Sequence, residues 1–359
     1  MSNPLSAIIT PPNYLRMQAV GVDISDRSVK YIELTPHNGE SKIGRFGEIS
    51  LAPGIIEDGR IVHSSALVAE LSKLSKEKGI TFVRAALPEE QVYFFQMKVP
   101  NGEEKELYTS IELSLEEHVP IPALDTVFDF DVVSKTAEST LVVVTAVARS
   151  VVESYSSTFA EAGLTLLSLE LEAEATNRAV VHKDDPTAHM IIDFGRMRTG
   201  ISVVYGGTVH FTSTVSVGGQ MLTDTLVKNF KISVEEAEMM KREYGMRRNS
   251  PRQDLFSVLL NNIAVLRDEI NKHFIYWHTH NDENGMPRPP IEQIILVGGD
   301  SNLAGLKDYL SASLKVPAMV GDVWMNVPLV RDIVPEISKN DSLGYATAVG
   351  LALHDFSHE

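Results

Sequence analysis

Asp23 and Asp193 each close an apolar run and open a tight turn. The first segment reads Val20-Gly-Val-Asp23-Ile-Ser-Asp-Arg-Ser-Val29 and the second, 170 residues later, Ile191-Ile-Asp193-Phe-Gly-Arg-Met-Arg-Thr-Gly200. In both the order is strand, Asp, turn, strand. A turn after a strand can aim several backbone N–H groups at one point and so form an anion nest. Two such hairpins on facing lobes would grip a polyphosphate between them, and an Asp at each strand end would hold Mg²⁺ through water. A third segment, Ile294-Ile-Leu-Val-Gly298-Gly299-Asp300-Ser-Asn302-Leu303, is a strand, a glycine pair and a helix start. Glycines there let a flat ring approach the backbone, and a helix N-terminus favours phosphate. One such turn is common at strand ends; three in this order are specific.

The elements that must position these turns follow from periodicity. Residues 1–16 carry Pro4, Pro11 and Pro12 without a pattern and read as a flexible tail. Strands are expected at 19–24, 28–34, 44–51, 82–87, 92–99, 126–133, 140–147, 164–169, 189–193, 200–205, 208–215 and 291–297. Helices are expected at 64–78 with Ser64 or Ser65 as cap and Gly79 as its end, and at 103–118, 150–162, 172–182, 218–230, 302–314 and 341–354. Ser233 and Glu236 make a capping box. Leu259, Ile263, Leu266, Ile270, Phe274 and Trp277 form one core-facing helical stripe. The strand–helix–strand–strand order over 88–145 is a compact α+β unit inserted in an α/β pattern.

The chain has 359 residues, 43% apolar and 22% charged, which is the mix of a globular protein of two or three domains. It has no cysteine, which excludes thiol catalysis, Cys-based zinc sites, iron–sulfur clusters and a disulfide framework. Its 32 basic and 48 acidic side chains leave a net charge of −16, a field that repels nucleic acid and anionic membranes. The most apolar run, Leu141 to Ala148, is far short of the ~20 residues that span a bilayer, and no signal peptide is read at the start. A cytoplasmic protein is expected, with no direct membrane insertion. His273, His278 and His280 do not share a helix face and carry no fixed carboxylates, so they are not read as a metal site. Met239-Met240 reads as core packing.

These segments resemble the actin-like ATPase superfamily (actin, the Hsp70 chaperones, sugar kinases, FtsA) and, within it, the PilM family of type IV pilus assembly proteins. The resemblance is carried by Gly21-Val-Asp-Ile24 with Ser28-Val-Lys30-Tyr-Ile-Glu-Leu34, Pro120-Ile-Pro122 with Phe128-Asp-Phe-Asp131, and Gly163-Leu164 with Leu169-Glu-Leu-Glu172. It continues in Ile192-Asp-Phe-Gly195 with Thr199, Val217-Gly218-Gly219, Glu236-Ala-Glu238 with Lys241, Gly298-Gly-Asp-Ser-Asn-Leu303, and Gly344-Tyr-Ala-Thr-Ala-Val-Gly350. It implies an α/β, two-lobed actin-like (ribonuclease H-like) fold with an FtsA-type small α+β subdomain in lobe one. Subdomain 1A is expected from 17–87, 146–198 and 330–359, the inserted subdomain 1C from 88–145, and lobe two (2A and 2B) from 199–329. ATP and Mg²⁺ are implied in the cleft, with hydrolysis weak or absent. The implied partner is the cytoplasmic N-terminal tail of a PilN-like membrane protein, which would recruit the chain to the inner face of the inner membrane and support the pilus alignment complex or a related secretion or DNA-uptake machine. Self-association stays open. An FtsA-like filament former, although no C-terminal amphipathic anchor is read, and a sugar-kinase-like phosphotransferase are the alternatives.

By this resemblance Asp23, Ser25, Asp26, Arg27 and Ser28 form the first phosphate loop, with Lys30 beside it. Asp193, Gly195, Arg196, Arg198 and Thr199 form the second, Gly218 and Gly219 open the following helix, and Gly298, Gly299, Asp300 and Asn302 form the adenine-side loop. Asp23 and Asp193 would hold Mg²⁺ through water. Glu238 and Lys241 share a helix face and either border the ribose and base or make a solvated ion pair. Glu172 stands where the superfamily places a carboxylate near the attacking water; otherwise it is a surface helix carboxylate. Three departures bear on affinity. Asp26 beside phosphates is unfavourable unless offset, or it points to solvent with Arg27 in its place. Asp300 replaces a usual glycine and would narrow the adenine face. Arg196 and Arg198 would add charge-assisted hydrogen bonds of about 1.5–3 kcal/mol each.

Overall fold

The computed structural model describes residues 18–37, 40–247, 251–283, 285–328 and 335–356, so the expected tail at 1–16 lies outside the described residues. One five-stranded sheet has the order β10 (Thr165–Leu171), β6 (Phe82–Leu87), β1 (Val20–Ile24), β2 (Ser28–His37), β3 (Glu40–Ser50). The other has the order β15 (Ala318–Val320), β14 (Ile291–Val297), β11 (Ala188–Phe194), β12 (Thr199–Tyr205), β13 (Thr208–Val215). In each, an antiparallel three-strand meander is extended by two parallel strands. The two Asp-turn segments therefore hold equivalent places in two copies of one topology, and because β11 belongs to the second sheet, the lobe boundary expected between 198 and 199 falls before Ala188. Their first strands, β1 and β11, are central and apolar on both faces, as parallel-paired interior strands must be.

A third sheet, β7 (Val92–Pro100), β9 (Ser139–Ala148), β8 (Thr126–Lys135), is wholly antiparallel. Helix α2 (Glu104–His118) covers it, seating Leu107, Ile111 and Leu115 on Val142, Val144, Met97 and Phe128. The α+β pattern read over 88–145 is this unit. In the second lobe α7 (Gln253–Thr279) buries Leu255, Leu259, Ile263, Leu266, Ile270 and Trp277 in one core with Met190, Ile192 and Leu296. The Ser233–Glu236 capping box opens α6 (Val234–Glu243): Glu236 N donates to Ser233 Oγ at 3.2 Å and Ser233 N to Glu236 Oε2 at 3.0 Å.

Four local readings change and one element is added. His63, not Ser64 or Ser65, precedes α1 (Ser64–Lys76), because the Ser64 hydroxyl is 3.3 Å from Thr158 Oγ1 instead of capping. A two-residue hairpin, β4 (Ile56–Glu57) with β5 (Arg60–Ile61), turns on Asp58-Gly59. The helix expected over 302–314 is a 3₁₀ turn at Gly299–Asn302 and then α8 (Leu306–Leu314), since Gly305 sits at φ +87° and breaks the run. The C-terminal helix is likewise split into α9 (Lys339–Ser342), a 3₁₀ turn and α10 (Ala346–Leu353). Of Met239-Met240, only Met240 enters the core; Met239 is exposed.

Helix α10 is buried between β1 and α4 (Glu172–Val180). The approach is close enough to exclude a Cβ: one on Gly350 would lie 1.7 Å from Ala175 O, and one on Gly21 2.0 Å from Ala348 O. These contacts fix where α4 starts, and Glu172 is its first residue. Gly350→Ala is therefore expected to destabilise the protein by about 3 kcal/mol through overpacking, read as a lower urea midpoint at unchanged m-value.

Candidate functional site

A cleft of about 1310 Å³ opens where the two meanders face each other. Asp23, Ser25, Asp26, Arg27, Ser28 and Lys30 line it from the first sheet, and Asp193, Gly195, Arg196 and Arg198 from the second. Glu172, Glu238, Lys241, Gly298, Gly299, Asp300 and Asn302 complete the wall. Thr199, Gly218 and Gly219 are not among the lining residues. Thr199 is fully buried and donates to Val217 O at 2.6 Å. Gly219 N donates to Gly195 O, and a Cβ on Gly218 would lie 2.4 Å from Arg196 O. These three brace the second turn from behind, because the chain must pass close to itself there.

The first turn is closed by its own side chains. Ser25 N donates to Ser28 O at 2.9 Å, and Ser28 N to Ser25 Oγ at 3.2 Å. Asp23 sits opposite Lys30 across the β1–β2 pair, as Asp193 sits opposite Gly200 across β11–β12. Asp26 does not point to solvent. Its Oδ1 accepts from Gly59 N at 3.2 Å and from Arg198 at 3.5 Å. The new β4–β5 hairpin thus supplies the partner that this acid needs.

Arg198 is not free to meet a phosphate. It reaches Glu90 at 2.5 Å, and Asp26 and Glu172 at 3.5 Å each. Its added phosphate affinity is therefore spent on carboxylates. Arg27 and Arg196 have no ion-pair partner among the described residues, Arg196 donating only to Gln220 Oε1 at 2.9 Å, and Lys30 stands 3.9 Å from Glu48. Those three cations remain available to an anion.

Lys241 and Asp300 correct two further readings. Lys241 is buried at 4% exposure and is no solvated surface pair. Its ammonium meets Asp300 Oδ1 at 2.7 Å, Thr223 Oγ1 at 3.0 Å, Glu238 Oε1 at 3.1 Å and Gly219 O at 3.2 Å. Asp300 packs over Gly219, where a Cβ would lie 2.0 Å from its carboxyl carbon. The aspartate is directed at Lys241, and so ties the glycine-pair loop to α5 (Gly219–Phe230) and α6. Gly299 is open: a Cβ there would meet nothing within 4 Å.

The carboxylates are strained electrostatically. Burial pushes Asp193 up to about 6, helped by repulsion from Asp23. Burial also raises Asp23, against the pull of Lys30 and Arg198. Glu172 is raised well above the ordinary carboxylate range, first by burial and then by Asp23, Glu89 and Glu90, with Arg198 opposing. It lines the cleft and is no surface helix carboxylate. Acids held this way are relieved by an added cation. No group of three His, Asp or Glu side chains converges to hold an ion directly among the described residues. Two aspartates at facing strand ends fit a hydrated divalent ion instead.

Glu89 and Glu90 were not foreseen. They follow Pro88 at the carboxyl end of β6, a parallel strand beside β1, and parallel strands present their carboxyl ends to ligand crevices. That was the available signal. Glu89 accepts from Thr214 Oγ1 at 3.2 Å, across the two halves of the molecule.

Residues 21–356 match the family model described as type IV pilus assembly protein PilM. The chain belongs to the PilM family. A solved PilM-PilN type IV pilus biogenesis complex contains a chain similar to this one, with TM-score 0.79 and 20% identity over 95% of this chain and 99% of that one. MreB5 of Spiroplasma citri bound to AMPPNP is similar at TM-score 0.54 and 13% identity, over 93% and 95%. Among curated proteins, FtsA of Neisseria meningitidis is 24% identical over 44% of this chain and 42% of its own length. The chain spans less than half the length of the curated relatives that it matches. These likenesses show an actin-like fold for this PilM-family member, in accord with its paired sheets.

Glu89 yields a pH prediction. Burial raises it to about 7, with Asp193 and Glu90 adding to the shift. Between its ordinary value near 4.5 and about 7 the folded state holds a proton that the unfolded chain has lost, so this group's contribution to stability falls as pH rises through that window. Glu89→Gln is expected to stabilise the ligand-free protein by about 2 kcal/mol at pH 8 and by little at pH 4.5. Thermal melts at both values check it; an equal gain at the two would refute it.

Proposed function

We propose that this PilM-family protein is an ATP-binding scaffold at the inner face of the inner membrane, where it binds the cytoplasmic N-terminal tail of a PilN-like protein and supports assembly of a type IV pilus or related machine. The observation that carries the nucleotide reading is the mirrored pair of Asp turns on topologically equivalent strands, facing one cleft. Arg27, Lys30 and Arg196 would meet the phosphates. Gly298 and Gly299 would lie against the base, with Glu238 and Lys241 on the ribose side. Asp23 and Asp193 would hold Mg²⁺ through water, and the bound ion would neutralise phosphate charge. Bound AMPPNP in the similar MreB5 supports this reading.

Hydrolysis is expected to be weak or absent. Glu172 lines the cleft and would orient a water, but Arg198 engages it. The guanidinium opposes the rise that burial gives this carboxylate, and so makes it a weaker proton acceptor than the same group unpaired. The partner reading rests on the family and on the named complex of the similar structure. No helix is long and apolar enough to cross a membrane among the described residues, so a partner would supply the tether. The unit around β7–β9 is proposed as the inserted subdomain beside which the tail docks.

Calorimetry with MgATP and with a synthetic PilN-like tail peptide tests both halves. One site for each is expected. Heat from neither ligand would end the proposal. Gly299→Val is expected to weaken MgATP binding at least about tenfold while leaving the melting temperature within about 1 °C, since its side chain would enter open space. Unchanged affinity would displace the base from that loop.

A further inference from the structure

Arg198 stands on the β11–β12 turn of the second lobe, yet its ion pairs all lie in the first half of the chain. Asp26 belongs to the β1–β2 turn, Glu90 to the 3₁₀ turn that leads into β7, and Glu172 to the start of α4. These three segments are distant in sequence but follow β1, β6 and β10, three adjacent parallel strands, so the guanidinium meets the carboxyl end of the first sheet. The guanidinium is 16% exposed, and its partners are similarly enclosed. We infer that Arg198 is a latch across the cleft, a built-in counter-ion that holds the second lobe, the first lobe and the β7–β9 unit together when no nucleotide is bound.

Three features argue that these contacts are structural. The planar fork of arginine carries five N–H donors and can serve several carboxylates at once, which the point charge of lysine cannot. Glu90 Oε2 is buried and has no hydrogen-bond partner, so the arginine is what offsets this carboxylate. Asp26 extends the chain of contacts: it accepts from Gly59 N, and Gly59 O accepts from Tyr155 Oη at 2.9 Å, inside the first core. Further bonds across the same seam are lighter and neutral, as between Gln96 of β7 and His210 of β13 at 2.9 Å. Removing the one cation would leave three enclosed carboxylates facing one another, with Asp23 behind them. Because Glu90 opens β7, the latch joins the cleft to the β7–β9 unit as well as lobe to lobe. The inference stands without any nucleotide.

The test is hydrogen exchange with mass spectrometry, with thermal melts, on the full chain free of nucleotide and divalent metal. Arg198→Gln is compared with Arg267→Gln, a control in an exposed α7 ion pair. Arg198→Gln is expected to speed exchange about tenfold in 24–28, 89–95 and 194–199 together, and to lower the melting temperature by about 5 °C. Arg198→Lys should fall between it and the parent. Glu90→Gln should cost less in the Arg198→Gln background than alone, as expected of directly coupled groups. Exchange in 89–95 that stays at the parental rate, or Glu90 and Arg198 effects that simply add, would overturn the latch. Should Arg198→Gln fail to fold, Glu90→Gln alone decides: faster exchange at 194–199, on the opposite lobe, supports it, and an unchanged rate there refutes it.

Discussion

The structure depends on how carboxylates are tolerated where two sheets meet. Asp23, Asp193, Glu89 and Glu172 converge on one cleft, and burial holds each above its ordinary titration range. Left alone, such a set would drive the lobes apart. Arg198 at the seam opposes it, with Lys30 opposite Asp23, while Lys241 at the far wall holds Asp300 and Glu238. Arg198 and Lys241 are enclosed and multiply bonded, so their charge is weakly screened. The cations left facing the open cleft are Arg27 and Arg196, which have no ion pair among the described residues, and Lys30, 3.9 Å from Glu48.

That division gives the cleft its character. One set of charges holds the walls, and a second faces the open cleft. The close packing of α10 between β1 and α4 serves the same end, because it sets the position of Glu172 to within a side chain's reach of the opposite turn. Asp300 shows the logic at the other end of the cleft. Where a glycine would leave space, the aspartate fills it over Gly219 and neutralises Lys241. The charges that brace the walls and those that face the open cleft therefore sit on different residues.

Much of this was legible in the chain. The repeated Asp turn, the apolar β14 run ending in Gly298-Gly299, the 3.6-residue stripe of α7 and the Ser233–Glu236 box are local patterns, and local patterns report local geometry. Three of the misreadings share one cause. Ser64 was expected to cap, but Thr158 takes its hydroxyl; Asp26 was expected to face phosphate or solvent, but the unforeseen β4–β5 turn takes its carboxylate; Lys241 read equally as a surface residue, but three elements enclose it. In each case a partner distant in sequence decided the outcome.

By itself the sequence determined the two-copy topology, the positions of the two Asp turns and the family, because strand periodicity, glycine placement and turn chemistry are encoded over spans of a few residues. Only the tertiary structure decided which charges are committed and which are available. Ion pairing depends on distances between segments as far apart as Asp26 and Arg198, and those distances exist only once the sheets are packed.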